Sequence, residues 1–147
     1  MSADYFLDSN ILLYSFDPAA ARKQRIARML VDGAVHEGRG VISSQVCQEF
    51  CNVMLHKLAA PIPPRDLEAY LESTVYPLIR VLPSPRLFAE ALAIHQQTQY
   101  RFHDSLIVAA ALESGVPTLY SEDLQHDRLI GSLRIVNPFL EESVDRR

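Results

Sequence analysis

Short apolar runs alternate with longer amphipathic stretches along most of the chain. Five of the runs are short enough, and apolar enough, to be buried strands. They cover residues 5–7, 41–43, 78–82, 116–120 and 134–136. Because helical patterns separate these runs, the sequence predicts an α/β fold, a three-layer α/β/α sandwich around a mostly parallel five-stranded sheet.

The helix boundaries are predicted from capping residues, prolines and glycines. A capping residue followed by proline marks a helix start at residues 17–18 and another at residues 84–85, and the first of these helices is expected to stop near Gly33. Further helices are expected from residue 44 to about 58, over residues 65–73, and from Asp104 to Gly115. No linker or repeat interrupts this order, so residues 1–147 are interpreted as one domain.

Composition narrows the possible functions. At 147 residues and 48% hydrophobic content the chain can bury a core without disulfides or structural metals. No apolar stretch approaches the roughly 18 residues that span a membrane, and the first residues lack a basic segment, so a cytoplasmic protein without membrane association is expected. Cys47 and Cys51 lie on one helix face and are interpreted as core residues, since too few further ligands lie nearby for zinc.

The acidic residues give the first indication of chemistry. Asp8 follows the first strand, Glu49 lies in the second turn of the helix after residue 44, Asp104 begins a helix, and Asp123 follows the strand at 116–120. In a parallel α/β sheet the ends of strands and the starts of helices share one edge. Each acid alone is explained as a cap, a turn or a surface residue. Independent explanations do not account for four acids at one edge.

Carboxylates that lie close together repel one another unless a cation lies between them. Ligation by oxygen atoms alone suits Mg²⁺ or Mn²⁺. Such an ion activates water and neutralises charge on a phosphodiester, so these residues indicate metal-dependent phosphodiester hydrolysis. The formal net charge of −4 argues against a broad basic surface for nucleic acid, but it is compatible with a site that recruits a cation first.

Two other uses of an acidic sheet edge fit less well. A phosphatase of the haloacid dehalogenase type needs a second aspartate two residues after the first, and that position is Asn10. A receiver domain needs an acceptor aspartate at the end of the middle strand, and "LIRVLPSP" contains none. Both classes are therefore disfavoured.

Four segments resemble those of PIN-domain ribonucleases, and most closely VapC-like toxins of toxin–antitoxin pairs. They are "FLDSNILLY", "SSQVCQEFCNVM", "FHDSLIVAAAL" and "LYSEDLQHD", in the order and spacing of that family. The resemblance covers residues 5–139 approximately. It implies a sheet in the order 3-2-1-4-5 and a Mg²⁺- or Mn²⁺-dependent endoribonuclease that leaves a 5′-phosphate and a 3′-hydroxyl.

The resemblance also implies roles for residues and partners. It assigns catalysis and metal binding to Asp8, Glu49, Asp104 and Asp123, with Asn10 bracing the first acid and Ser121 orienting a water or a ligand carboxylate. It implies an RNA substrate, for which transfer RNA is the family-level expectation, a cognate antitoxin protein, and a homodimer. A catalytically silent PIN fold that binds RNA or protein is the alternative, although the four retained acids argue against it.

Four neighbouring residues complete the expectations. Arg101 and His103 are secondary candidates for contact with a substrate phosphate, and packing beside the helix start is the favoured interpretation of His103. Glu122 is expected to point away from the acidic edge. Asp127 stands where the family resemblance leads us to expect glycine, at a turn that is expected to require a positive φ.

Overall fold

The computed structural model describes residues 2–140 and has a six-stranded sheet in the order β3-β2-β1-β4-β6-β5. The strands are β1 (Tyr5–Leu7), β2 (Gly40–Ser43), β3 (Ile79–Val81), β4 (Thr118–Tyr120), β5 (Leu129–Ile130) and β6 (Leu133–Val136). All neighbouring pairs are parallel except β5 with β6. The predicted α/β class is confirmed, and the five predicted strands occur in the predicted order.

The strand that the sequence did not predict is β5, which is only two residues long. It forms an antiparallel hairpin with β6, in which Leu129 pairs with Arg134 and Ile130 with Leu133. Gly131 in the intervening turn has a φ of 59°, which favours glycine. Two residues are too few to show the alternation of a strand, so the hairpin adds an edge that periodicity cannot detect.

Six α-helices surround the sheet in the described part of the chain. They are α1 (Ser9–Tyr14), α2 (Ala21–Glu37), α3 (Ser44–His56), α4 (Pro64–Tyr70), α5 (Pro85–Thr98) and α6 (Phe102–Ser114). A π-helical turn at Leu71–Val75 and a 3₁₀ turn at Tyr76–Leu78 connect α4 to β3. None of the helices within residues 2–140 is long and apolar enough to cross a membrane.

Both predicted ends of α2 were wrong. The helix begins at Ala21 because the Asp17 carboxylate accepts a hydrogen bond from the Ala19 N–H at 3.0 Å, which closes a turn before the helix. It then continues through Gly33 to Glu37. A β-carbon at Gly33 would lie 2.6 Å from the Tyr5 hydroxyl, so this glycine permits close packing on β1 rather than ending the helix.

The predicted start of α6 was also displaced. The helix begins at Phe102, so Asp104 lies in its first turn and Arg101 holds the capping position. Its end before Gly115 is confirmed, as is the Ser84-Pro85 start of α5. A carboxylate in the first turn still faces the positive end of the helix dipole.

The hydrophobic core lies on both faces of the sheet and holds in place the strands that end at the candidate site. Phe6 and Leu7 of β1 and Leu119 of β4 are fully buried, and α6 packs its apolar middle against the same strands. The Asp8 N–H donates to the Tyr120 carbonyl at 3.0 Å, which continues the β1–β4 ladder to the last residue of each strand. The end of β1 is therefore fully buried, and its last ladder hydrogen bond ties it to the end of β4.

Candidate active site

Asp8 joins β1 to α1 and is almost entirely buried, with 5% of its surface exposed. One carboxylate oxygen, Oδ1, accepts the Ser9 N–H at 2.7 Å and caps α1. The other, Oδ2, accepts the Ser121 hydroxyl at 2.8 Å. Asp8 is thus both the helix cap that its position suggests and a carboxylate held from two sides.

The environment of Asp8 disfavours its charged form. The pKa of Asp8 is raised from 3.8 to about 6, chiefly by burial and to a smaller extent by the negative charges of Glu49 and Asp123, against the lowering effect of the hydrogen bonds from Ser121 and Ser9. A cation placed beside this carboxylate would offset both the burial and the repulsion.

Glu49 is held by residues of three helices. Its Oε2 accepts the Ser9 hydroxyl at 2.8 Å, and its Oε1 accepts the Gln45 side-chain amide at 3.0 Å. His103 Nε2 lies 2.5 Å from the same Oε1. The His103 side chain is 61% exposed, so the interpretation of His103 as a packing residue was wrong.

Asp123 lies in the loop after β4, where Asn10 organises the backbone. The Asn10 side-chain amide donates to Asp123 Oδ2 at 3.1 Å, and its carbonyl accepts the Glu122 N–H at 3.3 Å. Asn10 was expected to brace Asp8. In the structure the Asn10 side chain instead faces the loop after β4 and contacts the fourth acid.

Ser121 connects the first and fourth acids. It is fully buried, donates its hydroxyl proton to Asp8, and accepts the Asp123 N–H at 3.2 Å. One small hydroxyl therefore fixes the orientation of the Asp8 carboxylate and the start of the loop that carries Asp123.

The four predicted acids line one cavity of about 410 Å³. Its lining residues are Asp8, Glu49, Arg101, His103, Asp104, Ile107 and Asp123. The acids come from the end of β1, from α3, from the first turn of α6 and from the loop after β4, which is the edge predicted from the sequence.

The donor set of this cavity fits a hard cation in its chemistry, because carboxylate oxygens are the ligands that Mg²⁺ and Mn²⁺ prefer. As the side chains lie, no group of three or more His, Cys, Asp or Glu residues within positions 2–140 is close enough together to hold a metal ion. Glu49, whose oxygens are occupied by Ser9, Gln45 and His103, would have to move to become a ligand.

Glu122 points away from the cavity, as predicted. It forms an ion pair with Lys23, and the Tyr14 hydroxyl donates to its Oε1 at 2.6 Å. The Lys23 ammonium also lies 4.8 Å from the centre of the Tyr14 ring. These contacts attach the loop after β4 to α1 and α2.

A second cavity, of about 500 Å³, adjoins the acidic one. The two share Asp123, while Phe16, Met54 and Leu58 contribute apolar walls to the larger one. No pattern in the sequence predicted this cavity. Its walls come from separate loops and helices, and the one local signal is the exposure of Phe16 and Leu58, which sequence alone does not give.

Cys47 and Cys51 are partly buried and pack against the core, as predicted. Burial, together with the neighbouring Cys51, raises the pKa of the Cys47 thiol to about 11. A thiol with such a pKa stays protonated at neutral pH and packs as a small apolar group.

Asp127 adopts the positive φ that its position predicted, 65°, and lies outside the lining of the acidic cavity. Its Oδ1 accepts the Arg134 guanidinium at 2.7 Å on the surface. We expect Asp127→Gly to be neutral to stabilising, within about 1 kcal/mol, because relief of the left-handed conformation offsets loss of an exposed ion pair.

Urea denaturation of Asp127→Gly beside Asp127→Ala tests this expectation. The alanine variant loses the ion pair and keeps the backbone strain, so it should be about 1 kcal/mol less stable than the glycine variant. Equal stability of the two variants would contradict the role assigned to φ at this turn.

The profile of the PIN domain family matches residues 5–131, and the chain belongs to this family. Two solved structures have similar folds. VapC20 of Mycobacterium tuberculosis, described as a sarcin-ricin loop cleaving toxin, superposes with a TM-score of 0.56 at 18% identity, over 82% of this chain and 90% of that one. VapBC2 of Rickettsia felis, bound to a DNA fragment from its promoter, superposes with a TM-score of 0.54 at 16% identity, over 89% of this chain and 96% of that one. Comparison with curated proteins gives no match.

Proposed function

We propose that this chain is a Mg²⁺- or Mn²⁺-dependent endoribonuclease and the toxin component of a toxin–antitoxin pair. The observation that carries the proposal is that Asp8, Glu49, Asp104 and Asp123, which come from four separate segments, line one cavity at the sheet edge. Membership of the PIN domain family and a fold shared with VapC toxins support it.

Asp8 and Asp104 are the principal metal ligands in this proposal. When bound, a divalent cation would supply an activated water and neutralise charge on the phosphodiester. Ser121 keeps the Asp8 carboxylate turned toward the cavity, and Asn10 keeps Asp123 on its rim. There Asp123 would position water or a second ion, and Glu49 would act as a further ligand or hold the attacking water.

The proposed partners follow from the same family. The substrate is RNA, with transfer RNA as the first candidate and the sarcin-ricin loop, which VapC20 is described as cleaving, as the second. The VapBC2 structure supports an antitoxin as the protein partner. We further propose that residues 1–147 form one domain, and that the protein works in the cytoplasm as a homodimer.

One observation favours the alternative of a silent PIN fold that binds RNA or protein. The carboxylate of Glu49 is hydrogen bonded at both oxygens, and the acidic side chains as they lie do not form a closed ligand set within residues 2–140. If Glu49 keeps these contacts in solution, the cavity has fewer free ligands than the nuclease needs.

Cleavage assays on the purified chain decide between the two functions. Transfer RNA transcripts and a ribosomal fragment that contains the sarcin-ricin loop are incubated with Mg²⁺, Mn²⁺ or EDTA. The nuclease predicts cutting with either metal, none in EDTA, and a loss of roughly 100-fold or more in Asp104→Asn.

Asp66→Asn is the matched control, because Asp66 is an exposed acid on α4 outside the cavity lining, and it should cut as the wild type does. Equal cutting by wild type and Asp104→Asn would refute the site. Absence of metal-dependent cutting on every RNA would favour the binding module.

A further inference from the structure

Arg101 lies at the mouth of the acidic cavity, and its guanidinium forms no ion pair or hydrogen bond with the residues that the structure describes. Its side chain is exposed and lines the cavity beside Asp104. None of the ion pairs among residues 2–140 includes Arg101, and its guanidinium donates no hydrogen bond to any of these residues. Glu49 of α3, which lines the same cavity, is paired with His103 instead.

The local structure gives no reason for an arginine at this position. Arg101 occupies the N-cap of α6 and forms no side-chain capping hydrogen bond. Serine, threonine, asparagine and aspartate are the residues that stabilise this position. A positive charge here also faces the positive end of the helix dipole. Positions that oppose local stability without compensation in the fold are often those that serve a ligand.

The backbone that carries Arg101 is held firmly. The Tyr100 carbonyl accepts hydrogen bonds from His95 Nδ1 at 2.6 Å and from the Ser105 hydroxyl at 3.3 Å, and the Tyr100 N–H donates to the Thr98 hydroxyl at 3.0 Å. The Arg101 carbonyl accepts the Ser105 N–H at 2.9 Å. The guanidinium therefore projects from a fixed turn.

A cation next to four carboxylates, yet paired with none of them, suits a ligand that brings its own negative charge. Phosphate oxygens match the planar donor fork of arginine, and a polynucleotide presents one phosphate per residue. We propose that Arg101 contacts a phosphate of the RNA strand beside the acidic cavity. The inference rests on the proposed function, of which it names a substrate-binding residue.

The salt dependence of binding tests this contact independently of cleavage. A fluorescein-labelled single-stranded RNA is titrated with wild-type protein, Arg101→Gln and Arg101→Lys in Ca²⁺, and its fluorescence anisotropy is followed at several salt concentrations. Arg101→Gln should raise Kd about tenfold and lower the slope of log K against log salt by about 0.7, the value for one phosphate of a single strand.

Arg101→Lys keeps the charge and should keep the slope, with a Kd between those of the other two proteins. Arg65→Gln is the charge-matched control, since Arg65 is exposed on α4 and outside the cavity lining, and it should bind as the wild type does. Circular dichroism of each variant confirms that it folds. If Arg101→Gln does not fold, the Kd of Arg101→Lys decides: a Kd above that of the wild type supports the contact, and an equal Kd refutes it.

An unchanged slope and Kd in Arg101→Gln would overturn the inference. So would an equal loss of affinity and slope in Arg65→Gln, or wild-type protein that does not bind the RNA. Cleavage in Mg²⁺ separates this failure from failure of the proposed function. Wild-type cutting with normal binding by Arg101→Gln would refute the contact alone, whereas a changed slope without any cutting would refute the nuclease alone.

Discussion

Asp8→Asn is expected to abolish RNA cleavage while making the metal-free protein more stable at pH 8. The loss of a ligand removes several kcal/mol of charge stabilisation from the transition state, which corresponds to a rate loss of roughly 100- to 1,000-fold or more. The gain in stability follows from the burial of a carboxylate among other negative charges. An inactive variant that is more stable than the wild type cannot owe its inactivity to unfolding.

The contribution of Asp8 to the free energy of unfolding of the wild type becomes less favourable as the pH rises. Because the pKa of Asp8 rises from 3.8 to about 6 on folding, the folded state binds more protons than the unfolded state between these pH values. The contribution of protonated Asp8 is fully present below pH 3.8 and is lost as the pH rises through about 6. Each pKa unit corresponds to about 1.4 kcal/mol, so charged Asp8 costs about 3 kcal/mol at pH 8.

Asparagine avoids this cost but loses part of the hydrogen bonding to Ser9 and Ser121, worth about 1 kcal/mol. The net gain in Asp8→Asn should therefore be about 1–2 kcal/mol at pH 8 and should disappear near pH 4.5. Urea denaturation in EDTA at both pH values measures it, with Asp66→Asn as the control. An Asp8→Asn variant that is no more stable than wild type at pH 8 would contradict the account of this carboxylate.

Mg²⁺ is expected to stabilise the wild type and to have little effect on Asp8→Asn or Asp104→Asn. An ion that binds only the folded state at 100 times its Kd adds about 2.7 kcal/mol, which for a chain of this size raises Tm by roughly 5–10 °C. The increase in Tm caused by Mg²⁺ should become smaller below about pH 6, because a proton then competes with the ion for the Asp8 carboxylate.

Thermal denaturation at constant ionic strength, with NaCl replacing MgCl₂, separates specific binding from screening. The Asp66→Asn control should show the wild-type shift. An equal Mg²⁺ shift in wild type, Asp8→Asn and Asp104→Asn would place the bound ion elsewhere on the protein.

The edge at which the acids lie could be predicted because it depends on topology and not on side-chain detail. Asp8 and Asp123 each follow a buried run, and parallel strands bring the ends of such runs together. The sheet order came from the family resemblance, and the structure agrees with it for the five predicted strands. The role of Ser121 came from the same resemblance; its hydrogen bond with the Asp123 N–H follows from their separation of two residues, whereas its hydrogen bond to Asp8 is a tertiary contact.

The contacts that the sequence could not predict depend on where side chains from distant segments meet. His103 was interpreted as a packing residue, because nothing in its local sequence shows that Glu49 of α3 lies 2.5 Å away. Gly33 was interpreted as a helix stop, since its proximity to the Tyr5 hydroxyl is a tertiary contact. In the same way, the contact of Asn10 with Asp123 depends on the orientation of α1 against the loop after β4.

Crystals grown with Mn²⁺ show whether the acidic cavity binds a metal ion, because the anomalous signal of manganese locates the ion without reference to activity. We expect an anomalous peak in this cavity, about 2.1 Å from carboxylate oxygens of Asp8 and Asp104, that is absent from Asp8→Asn crystals. A cavity without a peak at saturating Mn²⁺, or an ion bound only at acids outside this cavity, would contradict this expectation.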